Sequence, residues 1–329
     1  MFNLKKIIMK KMFNKIGTLL LLAVAVIAVS CSNEEMDDLN VSKVENKGVI
    51  KELENVNLEL LSTVSSDETR GWSRWTTKQR LQVVSADVTG AWAGGKIGGK
   101  IGGVVGTGLG SPITGGVFGA FIGAVVGGAY NSWLASPGTR AAINEDDFYS
   151  IGQACKIVVN DDFSINEKTI IVNNPTIYRK LDVDSSLLIM SRLDEKFLTV
   201  GRMHNIMLSV MDGSVVLNAD EQKTSDIKEA IFNSKELMDS CKVIGTDASI
   251  NNLTASDPLL SKVMELFNTV MEEYVSESDD VAFIISKYVE VIDKSEDLTD
   301  EQKTSIKSGL ATALYSFEYW ESEFDESAK

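Results

Sequence analysis

The sequence predicts a mainly α-helical protein: a glycine-zipper helical hairpin followed by an α-helical bundle, with a small β-hairpin around residues 155–173. Three observations carry this. Sixteen of the 25 glycines fall between Gly90 and Gly128, mostly four residues apart, and a step of four advances about one helical turn. From Leu193 onward, apolar residues recur at helical spacing in stretch after stretch, as amphipathic helices require. Only the 155–173 region carries β-branched runs bounded by polar turn residues.

Residues 1–30 read as a targeting segment rather than part of the fold. Lys5, Lys6, Lys10, Lys11 and Lys15 form a basic n-region, and the apolar run Leu19 to Val29 is short for a membrane span. The run closes on Ala28-Val29-Ser30-Cys31, which resembles the lipobox of bacterial lipoproteins. The resemblance implies cleavage before Cys31 and acylation of its sulfur and its new amino group, with palmitate-type chains. The following Ser32-Asn33-Glu34-Glu35-Met36-Asp37-Asp38 resembles the export signal of Bacteroidetes-type surface-exposed lipoproteins. That implies a lipid-anchored outer-membrane protein displayed on the cell surface.

Residues 31–84 read as an acidic tether and a Trp/basic segment. The tether includes one short helix around Leu53, Val56, Leu58, Leu60 and Leu61; the segment holds Trp72, Arg74, Trp75, Lys78 and Arg80. Interleaved indoles and cations suit a membrane interface, and equally suit packing on the C-terminal domain.

The hairpin is expected over 85–138. Its start is placed near Ser85 or Asp87, both good N-caps, and its turn at Ser111-Pro112. Gly94, Gly98, Gly102, Gly106 and Gly110 line one arm; Gly115, Gly119, Gly123 and Gly127 line the other. Stripes of small residues let helix backbones approach closely. No charged residue occurs from Ile101 to Leu134, and each arm is long enough for a bilayer core. Trp92, Tyr130 and Trp133 are then expected at the open end as an interfacial belt. Lys96 and Lys100, four apart inside the first arm, either snorkel to that end, line a polar path in an oligomer, or keep the arm out of lipid. Glycines at this density oppose helix formation in water by something of order 10 kcal/mol, which favours lipid or oligomer packing over burial in a soluble core.

Residues 139–329 read as an acidic helical domain. Lys156 to Val159 and Thr169 to Val172 suggest the β-hairpin. Helices follow: Leu193 to Met211, a second opened by Asn218 and Glu221, a third by Asp257-Pro258, a fourth by Ser278, and a last by Thr299 with Gln302.

Site chemistry is sparse. Gly90 to Lys96 and Gly94 to Lys100 both fit GxxxxGK, but Ile follows each lysine where magnesium binding needs Ser or Thr. The lone His204 excludes His-based zinc clusters and reads as a structural histidine bonded to a neighbour. Asp182, Asp184 and Ser186 imitate the start of a calcium loop, yet position twelve is Leu193 rather than Glu. No catalytic set, metal site or cofactor is expected. The net charge of -15 disfavours nucleic acid as a partner. Cys155 and Cys241 leave pairing open.

The zipper resembles those of membrane-active bacteriocins and small outer-membrane proteins. The expectation is a non-enzymatic surface lipoprotein, bound to membrane lipid through Cys31, whose hairpin inserts in or oligomerises at a membrane in a membrane-active or antagonistic role. The alternative is a structural or adhesive lipoprotein that self-associates through the zipper into a homo-oligomer. Neither expectation names a protein partner.

Overall fold

Two long helices joined by one tight turn form the centre of the molecule, and the remaining helices are wrapped around their base. The computed structural model describes residues 48–63, 72–135, 156–173, 178–218, 226–235 and 257–327, without the side chains of 72–79 and of a few further positions. The expectations for the signal segment, for Cys31 and its acidic follow-on, for Trp72 and Trp75, and for Cys155 and Cys241 fall outside what is described.

Helix α1 spans Gly48–Ser62. It is the short helix expected in the tether, but it is docked: Val49, Ile50 and Leu53 are buried, and Asn57 donates to the Leu266 carbonyl at 2.8 Å. Helix α2 runs Trp72–Gly108 and helix α3 runs Pro112–Ala135. The first arm therefore starts well before Ser85 or Asp87, and neither residue is a cap. The turn is set by Gly110, whose φ of +76° is a conformation that side chains strain to adopt. Pro112 then opens α3, where its missing N–H costs nothing.

A single-turn helix α4 (Tyr178–Leu181) and helix α5 (Ser185–Ser191) lead into helix α6 (Glu195–Met211). Helix α7 spans Asp226–Phe232, a described part of the helix expected after Asn218. Helices α8 (Pro258–Tyr274), α9 (Ser278–Lys294) and α10 (Asp300–Ser327) complete the bundle. Their starts match the capping signals. Asp257 accepts from the Leu260 amide at 3.1 Å, and Thr299 and Gln302 exchange reciprocal side-chain-to-amide bonds of 3.0 and 3.2 Å.

A two-stranded antiparallel sheet accompanies the helices, with a different partner from the one expected. Strand β1 (Ile170–Val172) pairs with β2 (Val215–Leu217), while residues 156–158 are helical and Val159 makes only an isolated bridge to Ile165. Tertiary pairing overrides the β-branched run at 156–159.

The expected boundary at 138/139 does not separate two bodies, since residues 44–329 form one compact unit. The outer face of α3 explains why. Phe118, Phe121, Ile122, Val125 and Val126 are buried in a cluster with Val200, Met203, Ile206 and Met207 of α6. Trp92 joins a second cluster with Phe267 of α8, Ile284 and Tyr288 of α9, and Leu310 and Leu314 of α10. Six large side chains from the hairpin, at about 1.5–3 kcal/mol each when fully buried, match the helix-propensity cost of the glycines. Protein core supplies what lipid was expected to supply.

Candidate functional site

Three features of the hairpin differ in chemistry: its glycine seam, the polar groups at its base, and its open tip. The seam runs in antiparallel register. A Cβ built on Gly94 would lie 1.9 Å from the Gly123 carbonyl oxygen, one on Gly98 2.0 Å from that of Gly119, and one on Gly102 2.1 Å from that of Gly115. Gly90 extends the series against Gly127 at 2.2 Å, and Gly106 closes it on Ser111 and Gly115. The zipper is thus filled within one chain. Gly110, counted in the sequence as a zipper position, has nothing near it and serves the turn.

At the base, Asp87 of α2 is fully buried and accepts through Oδ2 from Ser132 Oγ of α3 at 2.9 Å and from Ser316 Oγ of α10. His204 Nε2 of α6 lies 3.4 Å from the same oxygen, also fully buried. Asn205 donates both amide hydrogens, to the Lys180 and Tyr315 carbonyls at 2.7 and 2.9 Å. Its Oδ1 is therefore left to accept, which makes His204 Nδ1, 3.1 Å away, its donor.

Burial pushes the Asp87 carboxyl well above its usual range, against the opposing bonds from Ser316, Ser132 and Trp320. Burial likewise lowers His204 to about 4. Burial thus disfavours the charged form of both groups, and His204 Nε2 and Asp87 Oδ1 have no hydrogen-bond partner among the described residues. Gly128 makes room for the ring, since a Cβ there would stand 3.1 Å from His204 Cδ2. Ser, His and Asp meet here, but both hydroxyls bind the carboxylate, and every member is sealed from solvent. The arrangement ties four helices together and offers a substrate no route to a hydroxyl activated by the imidazole.

Trp92 is not interfacial. Its side chain is fully buried, donates to the Ile306 carbonyl at 2.8 Å, and fills a slot over Gly309, where a Cβ would lie 1.8 Å from Nε1. Tyr130 and Trp133 are half-buried. Of the aromatic-basic segment, Arg80 packs inward, bridging Glu321 at 2.7 Å and lying over the Phe317 ring. Lys96 and Lys100 have separate fates. Lys96 is buried and bridges Asp257 at 3.0 Å, whereas Lys100, one turn on, is exposed. The calcium-like acids have other work: Asp182 pairs with Arg202 at 2.6 Å, and Asp184 caps α5.

Beyond Lys100 the hairpin is open. Val104 is 75% exposed, Leu109 46%, Ile113 82% and Val117 38%. A Cβ on Gly103 or Gly108 would meet nothing within 4 Å. These two arm-ends contact each other through the glycine seam; Ile101 and Val105 still pack against the cluster of α3 and α6, while Val104, Leu109, Ile113 and Val117 are left uncovered. No known protein family, curated protein or solved structure matches this chain.

Proposed function

We propose that this chain is a non-enzymatic, lipid-anchored outer-membrane protein of the cell surface whose hairpin tip dips into one leaflet of a membrane. The observation that carries the reading is the uncovered tip: apolar, free of charge, and bounded by Lys100 at its neck. Leu109 stands nine positions after Lys100, which is about 14 Å of helix, close to half of a hydrocarbon core of about 30 Å. Along the arms the backbone amides are satisfied within the helices, as lipid demands, and in the turn those of Leu109, Gly110, Ser111 and Gly115 are bonded. Each Val, Leu or Ile moved fully from water contributes about 1.5–3 kcal/mol. Such a tip supplements the acyl anchor expected on Cys31, which holds it near a bilayer.

Dipping differs from spanning, because the buried base of the hairpin stays in the protein core while the tip enters. Vesicle flotation of the mature chain carrying Cys31→Ser is the test. The unlipidated protein is expected to float with vesicles, and Val104→Asp with Ile113→Asp is expected to release it without changing its helicity, both sites being exposed. Failure of the unsubstituted chain to float, or flotation unaffected by the two aspartates, refutes the reading.

A second reading, a structural or adhesive protein assembling copies, draws on the same open tip. The zipper glycines are occupied by the partner arm, so assembly would use Val104, Leu109, Ile113 and Val117 instead. Sedimentation without vesicles separates the two: a stable oligomer that the two aspartates dissolve favours assembly.

A further inference from the structure

Helix α1 begins at the end of the body that carries the tip. Its first residue, Gly48, lies against Asp297: the Val49 amide donates to that carboxylate at 3.1 Å, and a Cβ on Gly48 would stand 3.3 Å from it. Asp297 precedes α10 by three residues. In the first turn of α10, Glu301 is 3.9 Å from a Cβ built on Gly99, the neighbour of Lys100 at the neck. From this end α1 runs toward the base. Nine positions after Gly48, Asn57 donates to the Leu266 carbonyl halfway along α8 and accepts from Tyr288 of α9 at 2.9 Å. The chain that joins Cys31 to the fold therefore meets it near the neck, on the side where the tip projects.

The lengths make this orientation consequential. Gly48 stands seventeen positions after Cys31, a span of at most about 60 Å. The body behind the neck is as deep as α10, whose 28 residues measure about 42 Å. An anchor in a bilayer on the far side of the body would oblige the intervening chain to pass back along that depth, consuming most of its greatest extension. An anchor on the tip side needs no such path.

We infer that the tip and the acyl chains expected on Cys31 enter the same leaflet, so that the partner of the tip is the membrane holding its own anchor and not that of a neighbouring cell. This rests on the membrane reading above. It also selects within that reading, because an antagonistic role would require the tip to reach a foreign membrane. With both attachments in one leaflet, insertion of the tip becomes an intramolecular step, for which a few apolar side chains are sufficient.

The test couples Cys31 of the mature chain, with Cys155 and Cys241 replaced by Ser, to a maleimide lipid in phosphatidylcholine vesicles. It reads the tryptophan emission added by Ile113→Trp, at an exposed site. Brominated phosphatidylcholine, a contact quencher, is placed either in the anchoring vesicles or in a second population mixed with them. The added emission is expected to be lost with bromine in the anchoring vesicles and kept with bromine in the second population, without a rise in light scattering. Deleting residues 34–43 leaves Gly48 seven positions after Cys31, at most about 25 Å, and is expected to leave the quenching unchanged. Quenching by the second population, with clustering of vesicles, overturns the shared leaflet while leaving the tip reading intact. Quenching by the anchoring vesicles that the deletion abolishes also overturns it, because the chain would then reach its bilayer by the longer path. Emission unaffected by bromine in either population refutes the tip reading and the shared leaflet together.

Discussion

Alanine at Gly98 and at Gly103 should change stability in opposite directions, although the two positions are five residues apart on one helix. A Cβ at Gly98 would stand 2.0 Å from the Gly119 carbonyl oxygen, and ordinary contact begins near 3.4 Å, so the arms must part by about 1.4 Å. The obstacle is backbone and cannot rotate away. The rungs on either side, Gly94 with Gly123 and Gly102 with Gly115, must open with it. Overpacking of this kind costs about 1–3 kcal/mol or more, against a helix-propensity gain of about 1 kcal/mol. At Gly103 nothing lies within 4 Å, so the gain of about 1 kcal/mol stands alone. The two variants should therefore differ by the overpacking cost, about 1–3 kcal/mol or more, which is roughly 2–10 °C in Tm for a chain of this size. Thermal melts followed by far-ultraviolet circular dichroism measure this. Equal shifts, or a Gly98→Ala protein as stable as the parent, would mean that the arms are not in backbone contact and would sink the packing argument.

Two further outcomes follow from the base of the hairpin. His204 titrates in the fold below its ordinary value of 6.5, at about 4, so its contribution to stability is present above pH 6.5 and is lost as pH falls from 6.5 toward 4. Asp87 is raised above 3.8, so its contribution is present below 3.8 and is lost as pH rises through the raised value. Asp87→Asn cannot ionise and so removes the second loss. Denaturant midpoints of this variant should gain on the parent as pH rises above 3.8 and share its acid limb; parallel curves would contradict the assignment. A disulfide from Gly95→Cys to Ser305→Cys, with Cys155 and Cys241 replaced by Ser, would fasten the first arm to α10, because a Cβ on Gly95 lies 3.6 Å from Ser305 Oγ. Such a locked protein should float with vesicles as well as its reduced form if the tip dips without the base leaving; flotation restored only on reduction would show that the hairpin must detach.

The zipper register and the helix starts were legible in the sequence because both are local. A step of four identifies the glycine face, and capping boxes name their helices, so Asp257, Thr299 and Gln302 fall where their side chains predict. What covers the opposite face was not legible, since Phe118, Ile122, Val125 and Val126 have the same hydropathy whether α6 or acyl chains lie against them. Trp92 was misplaced for this reason. The signal that could have placed it was Gly309, an isolated glycine in an otherwise regular helical stripe, which marks a close approach. Gly201 is a second such mark: a Cβ there would lie 2.4 Å from the Tyr315 ring. Asp87 reads locally as a cap, because an acid before an apolar run usually is one. Its real partners, Ser132, His204 and Ser316, lie 45 to 229 residues away, and no local pattern brings them together.

Lys96 and Lys100 mark where the hairpin changes environment, and their divergence follows from what lies beside each turn. Lys96 reaches Asp257, the carboxylate that caps α8, and its charge is neutralised in the core. Removing either partner of so buried a pair would leave the other uncompensated, at a cost of about 3–5 kcal/mol, so this contact holds the first arm against the bundle. One turn on, α8 and α10 no longer flank the arm on all sides, and Lys100 keeps its charge in water at the rim. From Ile101 the chain carries no further charge until the turn is made and the second arm has re-entered the core. The glycine seam continues across this boundary, through Gly98 with Gly119 and then Gly102 with Gly115. The tip is therefore held by the same backbone contacts as the base. It can present apolar side chains to a bilayer as a rigid extension of a folded protein, without first exposing the buried face of α3.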